Sequence, residues 1–355
     1  MSRLDDTTLL ALDADGMLGH IRVLGDELAR AWEASEAYEL PAAAGSATSV
    51  VIAGMGGSAT AGDYLAALSA TSAEIPVTVV RGYSLPNYVS DRTLVILSSY
   101  SGNTEESLSC YDDAWKRGAT IVATTTGGQL AERARRDGVP VWPINYQSAP
   151  RAALGHSLAP LLRIGARVGL CAVDSDAIAR VREQHRALVQ QFVPETPAAN
   201  NPAKQLAEAL HGRVPFVIGA EHLASVASRF KNQVAENGKS LAAADVLPEA
   251  NHNLVVGLGT GAKGGESVSL VTLESERLYD ARVQKRFDVT AQIFEEEGVP
   301  LHRLSIEGDS TLSEILLGTA WGDYVSVYLA LLNGVDPGPV PQIVRLKAAL
   351  ERLGG

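Results

Sequence analysis

Two short runs of glycine and hydroxyl residues are the most chemically suggestive feature of this sequence. The first run, Gly54-Met55-Gly56-Gly57-Ser58, follows the apolar stretch 50–53, and the second, Ser99-Tyr100-Ser101-Gly102-Asn103-Thr104, follows the stretch 94–97. A helical pattern comes after each run. The free backbone N–H groups and partial positive charge of a helix N-terminus suit an anion. The two runs therefore predict a phosphate-binding site that uses Gly56, Gly57, Ser58, Ser99, Ser101 and Thr104.

An ordinary strand-to-helix turn with serine N-caps explains either run equally well when the run is taken alone. Two hydroxyl-rich turns in successive units favour phosphate over that explanation. The chain has neither a Walker lysine nor the GxGxxG spacing, so its sequence does not predict a nucleotide.

A carboxylate and a histidine in the second half are candidates for acid–base chemistry. Glu236 follows Asn232 by four residues, so a helix would place both on one face. Gly238 would cost a helix interior roughly 1 kcal/mol relative to alanine, which suggests close approach of another backbone or a ligand. The simpler explanation of Glu236 is a solvated carboxylate paired with Lys239. By itself, His252 is better explained as a hydrogen-bonded loop residue.

Neither metal nor cofactor is expected from these residues. Glu249 and His252 have half of the spacing of a di-iron helix motif, but the chain has no second copy of it. Cys110 and Cys171 are the two cysteines, too few for a disulfide framework or a cysteine zinc site.

The elements that must position these candidates alternate between strand and helix. This order is typical of an α/β fold with parallel sheets and right-handed crossovers. Ligands of such sheets bind beyond the carboxyl ends of the strands, where both hydroxyl-rich runs fall. The predicted strands of the first half are 49–53, 75–80, 94–98, 120–124 and 139–144.

A second α/β series begins after residues 194–201, the most linker-like stretch. It is predicted to start with a strand over 214–218 and a long helix over 221–241. We therefore predict two three-layer α/β/α domains, residues 1–193 with a helical leader and residues 194–355, which are related by duplication. The second series lacks the hydroxyl-rich runs, so only the first domain is expected to hold phosphate.

The composition limits the classes of binding partner and the cellular compartment that we expect for this protein. The formal net charge of -11 over 355 residues argues against nucleic acid and anionic membranes. No stretch approaches 18 uninterrupted apolar residues, and the acidic N-terminus does not resemble a signal peptide. We expect a cytoplasmic protein.

The same motifs carry a family resemblance. The two hydroxyl-rich runs resemble the sugar isomerase (SIS) domain. More narrowly, the chain resembles the bifunctional phosphoglucose/phosphomannose isomerase family over nearly its whole length. The segments that make this match specific are Pro150-Arg151-Ala152-Ala153-Leu154, Ala235-Glu236-Asn237-Gly238-Lys239, Pro248-Glu249-Ala250-Asn251-His252-Asn253 and Val344-Arg345-Leu346-Lys347.

The resemblance implies an aldose–ketose isomerase that interconverts fructose 6-phosphate with glucose 6-phosphate, mannose 6-phosphate, or both, through a cis-enediol(ate) and without a metal. It assigns the catalytic base to Glu236 and the stabilising cation to Arg151. The resemblance assigns ring opening to His252, with assistance from Lys347. It also implies a homodimer in which the partner subunit supplies His252.

The chain departs from the family pattern at three positions, namely Ala235, Gly238 and Ala250. The base, cation, histidine and lysine are all retained. A non-catalytic phosphosugar sensor is the alternative, because SIS domains also serve in binding proteins. An amidotransferase-type synthase is discounted, because position 2 is serine where that chemistry needs cysteine.

Overall fold

A computed structural model describes residues 2–257 and 267–353 of the chain. The outer limits of the two predicted domains, residues 1 and 355, lie outside the described residues. The boundary between residues 193 and 194 stays a prediction.

The first half forms a parallel sheet with strand order β2-β1-β3-β4-β5. Every residue of β1 and β3 is buried, because these central strands carry apolar or small side chains and are covered on both faces. Its strands are β1 (Ser49–Ala53), β2 (Val77–Val80), β3 (Thr93–Ser98), β4 (Thr120–Thr125) and β5 (Val141–Pro143).

The second half repeats this arrangement with strand order β7-β6-β8-β9, again parallel. The order matches that of β2-β1-β3-β4, which agrees with the predicted duplication. Its strands are β6 (Val214–Ala220), β7 (Ala243–Leu247), β8 (Val268–Glu274) and β9 (Leu301–Ser305).

Helices cover both faces of the first sheet. Adjacent residues of β3 contribute to two different hydrophobic clusters, Leu94 to one and Val95 to the other, because successive side chains of a strand point to opposite faces. The predicted three-layer fold is therefore confirmed. The helices are α1 (Met17–Arg22), α2 (Leu24–Ala34), α3 (Gly56–Ser69), α4 (Glu105–Lys116), α5 (Gly128–Arg136), α6 (Leu154–Arg167), α7 (Ser175–Phe192), α8 (Pro202–Leu210), α9 (Ala224–Glu236), α10 (Leu254–Gly257), α11 (Ala281–Glu296), α12 (Thr311–Leu332) and α13 (Pro341–Leu353).

Helix α12 lies at the centre of the molecule. It is long and apolar enough to cross a membrane, but 94% of its most hydrophobic window is buried inside the protein. It packs on α9, α8 and α7, and Thr319 in α12 shares a 2.6 Å hydrogen bond with the Tyr64 hydroxyl of α3. It is therefore a core helix that joins the two halves.

Two predictions of secondary structure were wrong. The long helix predicted over 221–241 ends at Glu236, and the unpredicted strand β7 follows it. Lys239 adopts a left-handed backbone with φ of 53°, which a helix cannot accommodate. The helical leader is also interrupted, because 3-10 turns at Arg3–Asp5 and Thr7–Leu12 precede α1.

Candidate active site

The two hydroxyl-rich turns lie side by side at the carboxyl edge of the first sheet, because β1 and β3 are paired neighbours. Helix α3 begins at Gly56, whose φ of 52° suits glycine. Helix α4 begins at Glu105, directly after Thr104. Among residues 2–257 and 267–353, no side chain caps the first turn of either helix, so both N-termini present uncapped backbone N–H groups towards this edge.

Two of the predicted phosphate ligands keep a hydroxyl proton available. The Ser58 hydroxyl oxygen accepts the Tyr100 backbone N–H at 3.2 Å. In the same way, the Ser101 hydroxyl accepts the backbone N–H of Asn103 at 3.3 Å. A hydroxyl that accepts in this way can still donate its own proton, so Ser58 and Ser101 can both donate to an anion.

Ser99 supports the site from beneath. It is 2% exposed, accepts the Gly102 backbone N–H at 3.2 Å and donates to the Thr104 hydroxyl at 3.2 Å. That contact uses the Ser99 proton and leaves the Thr104 proton for a ligand. Ser99 therefore orders the turn, and Thr104 is the better placed donor.

Arg151 lies directly beside the first turn. It belongs to the 3-10 helix Pro150–Ala152 and is 4% exposed. A Cβ atom on Gly57 would lie 3.5 Å from the Arg151 Cα and 3.0 Å from the Pro150 carbonyl oxygen. Gly57 thus allows the N-terminus of α3 to approach the arginine segment closely.

Arg151 also meets Glu236, the last residue of α9. The distance from Arg151 Nη1 to Glu236 Oε2 is 3.7 Å, and the Glu236 side chain is 32% exposed. Burial lowers the pKa of the Arg151 guanidinium, an effect that Glu236 opposes. The two groups form a loose ion pair with one member open to solvent.

The simpler explanation of Glu236 is wrong. Lys239 does not contact the carboxylate in this structure. Its ammonium donates to the Glu236 backbone carbonyl and, at 3.0 Å, to the Pro337 carbonyl. At Gly238, an added Cβ would lie 2.7 Å from the Val234 carbonyl oxygen in the preceding turn of α9, whereas the Ser326 carbonyl oxygen of α12 would lie at an ordinary contact distance of 3.4 Å. Gly238 follows the last residue of α9 instead of lying in the helix interior.

Sequence reasoning missed the buried ion pair that holds Arg151 from behind. Arg229 in α9 donates to both carboxylate oxygens of Asp323 in α12, at 3.2 and 2.9 Å, and to the Arg151 backbone carbonyl at 3.0 Å. Burial raises the pKa of Asp323, and Arg229 opposes this. A lone aspartate inside an apolar helix must have a partner, and that was the available signal.

The other two predicted catalytic residues lie on the surface of the chain. His252 is exposed in the 3-10 helix Glu249–His252, and Lys347 is exposed in α13. Within the described ranges, neither makes a hydrogen bond or ion pair with Arg151 or Glu236. One chain therefore brings together the predicted phosphate turns, Arg151 and Glu236, but not His252 or Lys347.

The fold and the paired turns define a protein built on sugar isomerase domains, and the comparisons agree. Residues 46–137 match the SIS domain family, and residues 199–350 match the family described as "Bacterial phospho-glucose isomerase C-terminal SIS domain". A solved structure of a hypothetical protein from Thermus thermophilus has a TM-score of 0.76 and 19% identity, and covers 98% of this chain and 93% of its own.

Curated relatives define the family more narrowly. A bifunctional phosphoglucose/phosphomannose isomerase of Caldicellulosiruptor bescii is 38% identical and covers 93% of this chain and 97% of its own length. The protein of the same name from Aquifex aeolicus is 34% identical, over 85% of this chain and 90% of its own. The chain belongs to the bifunctional phosphoglucose/phosphomannose isomerase family.

Proposed function

We propose that this protein interconverts fructose 6-phosphate with glucose 6-phosphate and mannose 6-phosphate. The observation that carries the proposal is the Arg151–Glu236 pair, 3.7 Å between Nη1 and Oε2, beside two uncapped helix N-termini that carry free hydroxyl donors. The names of the relatives supply the substrates.

The chemistry moves one proton between C1 and C2 of the sugar. We assign the base to Glu236, because its carboxylate is partly exposed and so can reach a substrate. The carboxylate removes the proton from one carbon and returns it to the other through a cis-enediol(ate), and a hydroxyl proton passes between the C1 and C2 oxygens of this intermediate. Arg151 stabilises the oxyanion that forms, since a buried, fixed cation needs no reorganisation during the reaction.

The phosphate anchors the opposite end of the substrate. Hydroxyl protons of Ser58, Ser101 and Thr104, together with the backbone N–H groups of α3 and α4, are the donors we assign to it. This anchoring fixes the distance from C1 and C2 to Glu236, which is the source of much of the rate gain in an enzyme of this kind.

We assign ring opening to His252 of a second copy of the chain, with help from Lys347. His252 is exposed, and the exposed apolar side chains Val246, Val256 and Val289 lie on neighbouring elements of this half. A homodimer would cover these side chains, as well as the exposed Val344 and Leu346 of α13.

The proposed mechanism needs no metal, because Glu236, Arg151 and His252 supply the base, the cation and the acid. We also propose a cytoplasmic location, where both cysteines stay reduced; Cys110 and Cys171 are free in the structure.

A coupled assay tests the proposal. The EDTA-treated protein is given fructose 6-phosphate, and glucose 6-phosphate and mannose 6-phosphate are measured separately for wild type, Glu236→Gln and the matched control Glu132→Gln, an exposed glutamate on α5. We expect both products from wild type and the control, and neither from Glu236→Gln. If no product forms while fructose 6-phosphate still raises the melting temperature, the protein is a phosphosugar sensor.

A further inference from the structure

The N–H groups of the Arg151 guanidinium are used unequally. Its Nε donates to Asn237 Oδ1 at 2.6 Å, and its Nη2 donates to the carbonyl oxygens of Pro337 and Gly338, each at 2.6 Å. Its Nη1 lies 3.7 Å from Glu236, beyond hydrogen-bond length. No hydrogen bond from Nη1 is found among residues 2–257 and 267–353, so its donors remain available on the side of the guanidinium that faces the carboxylate.

The orientation of the Asn237 amide follows from its second partner. Asn237 Nδ2 donates to the Ser326 hydroxyl at 3.0 Å, and that hydroxyl donates its own proton to the Asp323 carbonyl at 2.8 Å. Since the Ser326 proton is already used, the Ser326 oxygen can only accept. The amide nitrogen must face Ser326, and the amide oxygen must face Arg151. Asn237 and Ser326 are both 0% exposed, so water does not compete.

We infer that Asn237 and Ser326 are positioning residues for the proposed isomerase reaction: they turn the Arg151 guanidinium so that Nη1 points to the sugar oxygen that becomes negatively charged. The inference rests on the proposed function. Neither residue touches substrate in this scheme, since both act through Arg151.

Helix α12 fixes the backbone of Arg151 as well as its side chain. Asp323, whose carbonyl takes the Ser326 proton, also pairs with Arg229, which donates to the Arg151 carbonyl. One turn of α12 thus holds the backbone of Arg151 through Arg229 and its side chain through Asn237. A substitution in α12, away from the substrate, should therefore alter catalysis.

Ser326→Ala is the first test, with Ser157→Ala as its matched control. Ser157 is equally buried on α6, and within the described part of the chain its hydroxyl has no partner. We expect Ser326→Ala to lower kcat by roughly ten-fold with KM for fructose 6-phosphate little changed, because the phosphate contacts remain. In an Arg151→Lys background, the same change should cost almost nothing, since the two residues act as one unit.

Asn237→Asp is the second test, because it keeps the shape of the side chain and adds a negative charge. That charge disfavours the ionised form of Glu236, so the acid limb of kcat/KM should move to higher pH by on the order of one unit. A merely structural loss would lower activity evenly across pH.

The outcomes separate the two proposals. If wild type gives no product, the proposed function fails. If wild type is active and Ser326→Ala behaves like Ser157→Ala in kcat, or if Asn237→Asp leaves the pH profile in place, the positioning inference is overturned and the proposed function stands.

Discussion

Gly57 lies against the Pro150 carbonyl: a Cβ atom on Gly57 would come within 3.0 Å of that oxygen. This contact joins the turn proposed to hold the phosphate to the 3-10 helix that carries Arg151. In the proposed scheme, this backbone packing holds the anchored end of the substrate and its reacting end at a fixed separation. The methyl group that alanine would add at Gly57 should therefore affect catalysis.

Gly57→Ala should lower kcat/KM by roughly ten-fold, because backbone must shift to admit the methyl group and misplacement of a reacting group is costly. Gly45→Ala is the control, since nothing lies within 4 Å of a Cβ at Gly45. Steady-state kinetics and thermal melts of both variants are the measurement. Equal kinetics for the two variants would contradict the proposed coupling of turn and arginine.

Ser58→Ala should raise KM for fructose 6-phosphate by roughly ten-fold while kcat changes little. In the proposed scheme, Ser101, Thr104 and the backbone N–H groups still hold the phosphate in place, so losing the Ser58 donor weakens binding in the ground state and the transition state alike. Ser107→Ala is the matched control, because Ser107 is also a buried helical serine and, among the described residues, its hydroxyl has no partner. A fall in kcat at constant KM would argue against a purely anchoring role for Ser58.

The first half of the fold follows closely from its sequence. Strands such as β1 and β3 are apolar runs that end in small residues. The apolar run indicates a buried strand, and the small residues indicate the turn that follows it. The helix α7 is marked by Asp174, which accepts the Ala177 N–H as an N-cap, and by its amphipathic pattern. These signals are local, so a single sequence carries them.

The strand β7 could not be predicted in the same way. Ala243 and Ala244 favour a helix, yet they pair with Phe216 and Val217 of β6. The strand lies at an edge of the sheet and is only half buried, so it lacks the apolar pattern of a central strand. Tertiary pairing overrides local propensity here.

The residues of the candidate site also differ in whether a local sequence signal predicts them. The glycine and hydroxyl turns are visible as motifs, whereas a family resemblance identifies Arg151 and assigns Glu236 its role as the base. Asn237 and Ser326 contact each other across 89 residues of sequence, and neither is unusual in its own segment. Such a pair forms only once the C-terminal end of α9 has packed on α12.

Tagged heterodimers test which subunit supplies His252 to each proposed active site. In the trans arrangement, one chain carries Glu236→Gln and its partner carries His252→Asn; in the cis arrangement, one chain carries both and the other is wild type. If the histidine crosses the interface, the trans dimer keeps one intact site and about half of wild-type activity, while the cis dimer is inactive. A histidine acting within its own subunit gives the opposite result.

His185 should make stability depend on pH. It is 1% exposed on α7, and burial lowers its pKa from 6.5 to about 4. Between these values, the unfolded chain binds a proton that the folded chain does not, so stability rises with pH. Its contribution is fully present above pH 6.5 and is lost as pH falls through that window to 4, a change of about 3 kcal/mol.

The slope of the free energy of unfolding against pH reports the titration of His185 separately from any packing that the substitution removes. Urea unfolding of wild type and His185→Gln across the same window should show a shallower slope for the variant. His211→Gln, at an exposed position directly after α8, should keep the wild-type slope. Parallel slopes for wild type and His185→Gln would mean that the buried imidazole does not stay neutral. In that case, the packing of His185 against Gly25, where a Cβ would lie 3.1 Å from Nδ1, would have to accommodate a charge.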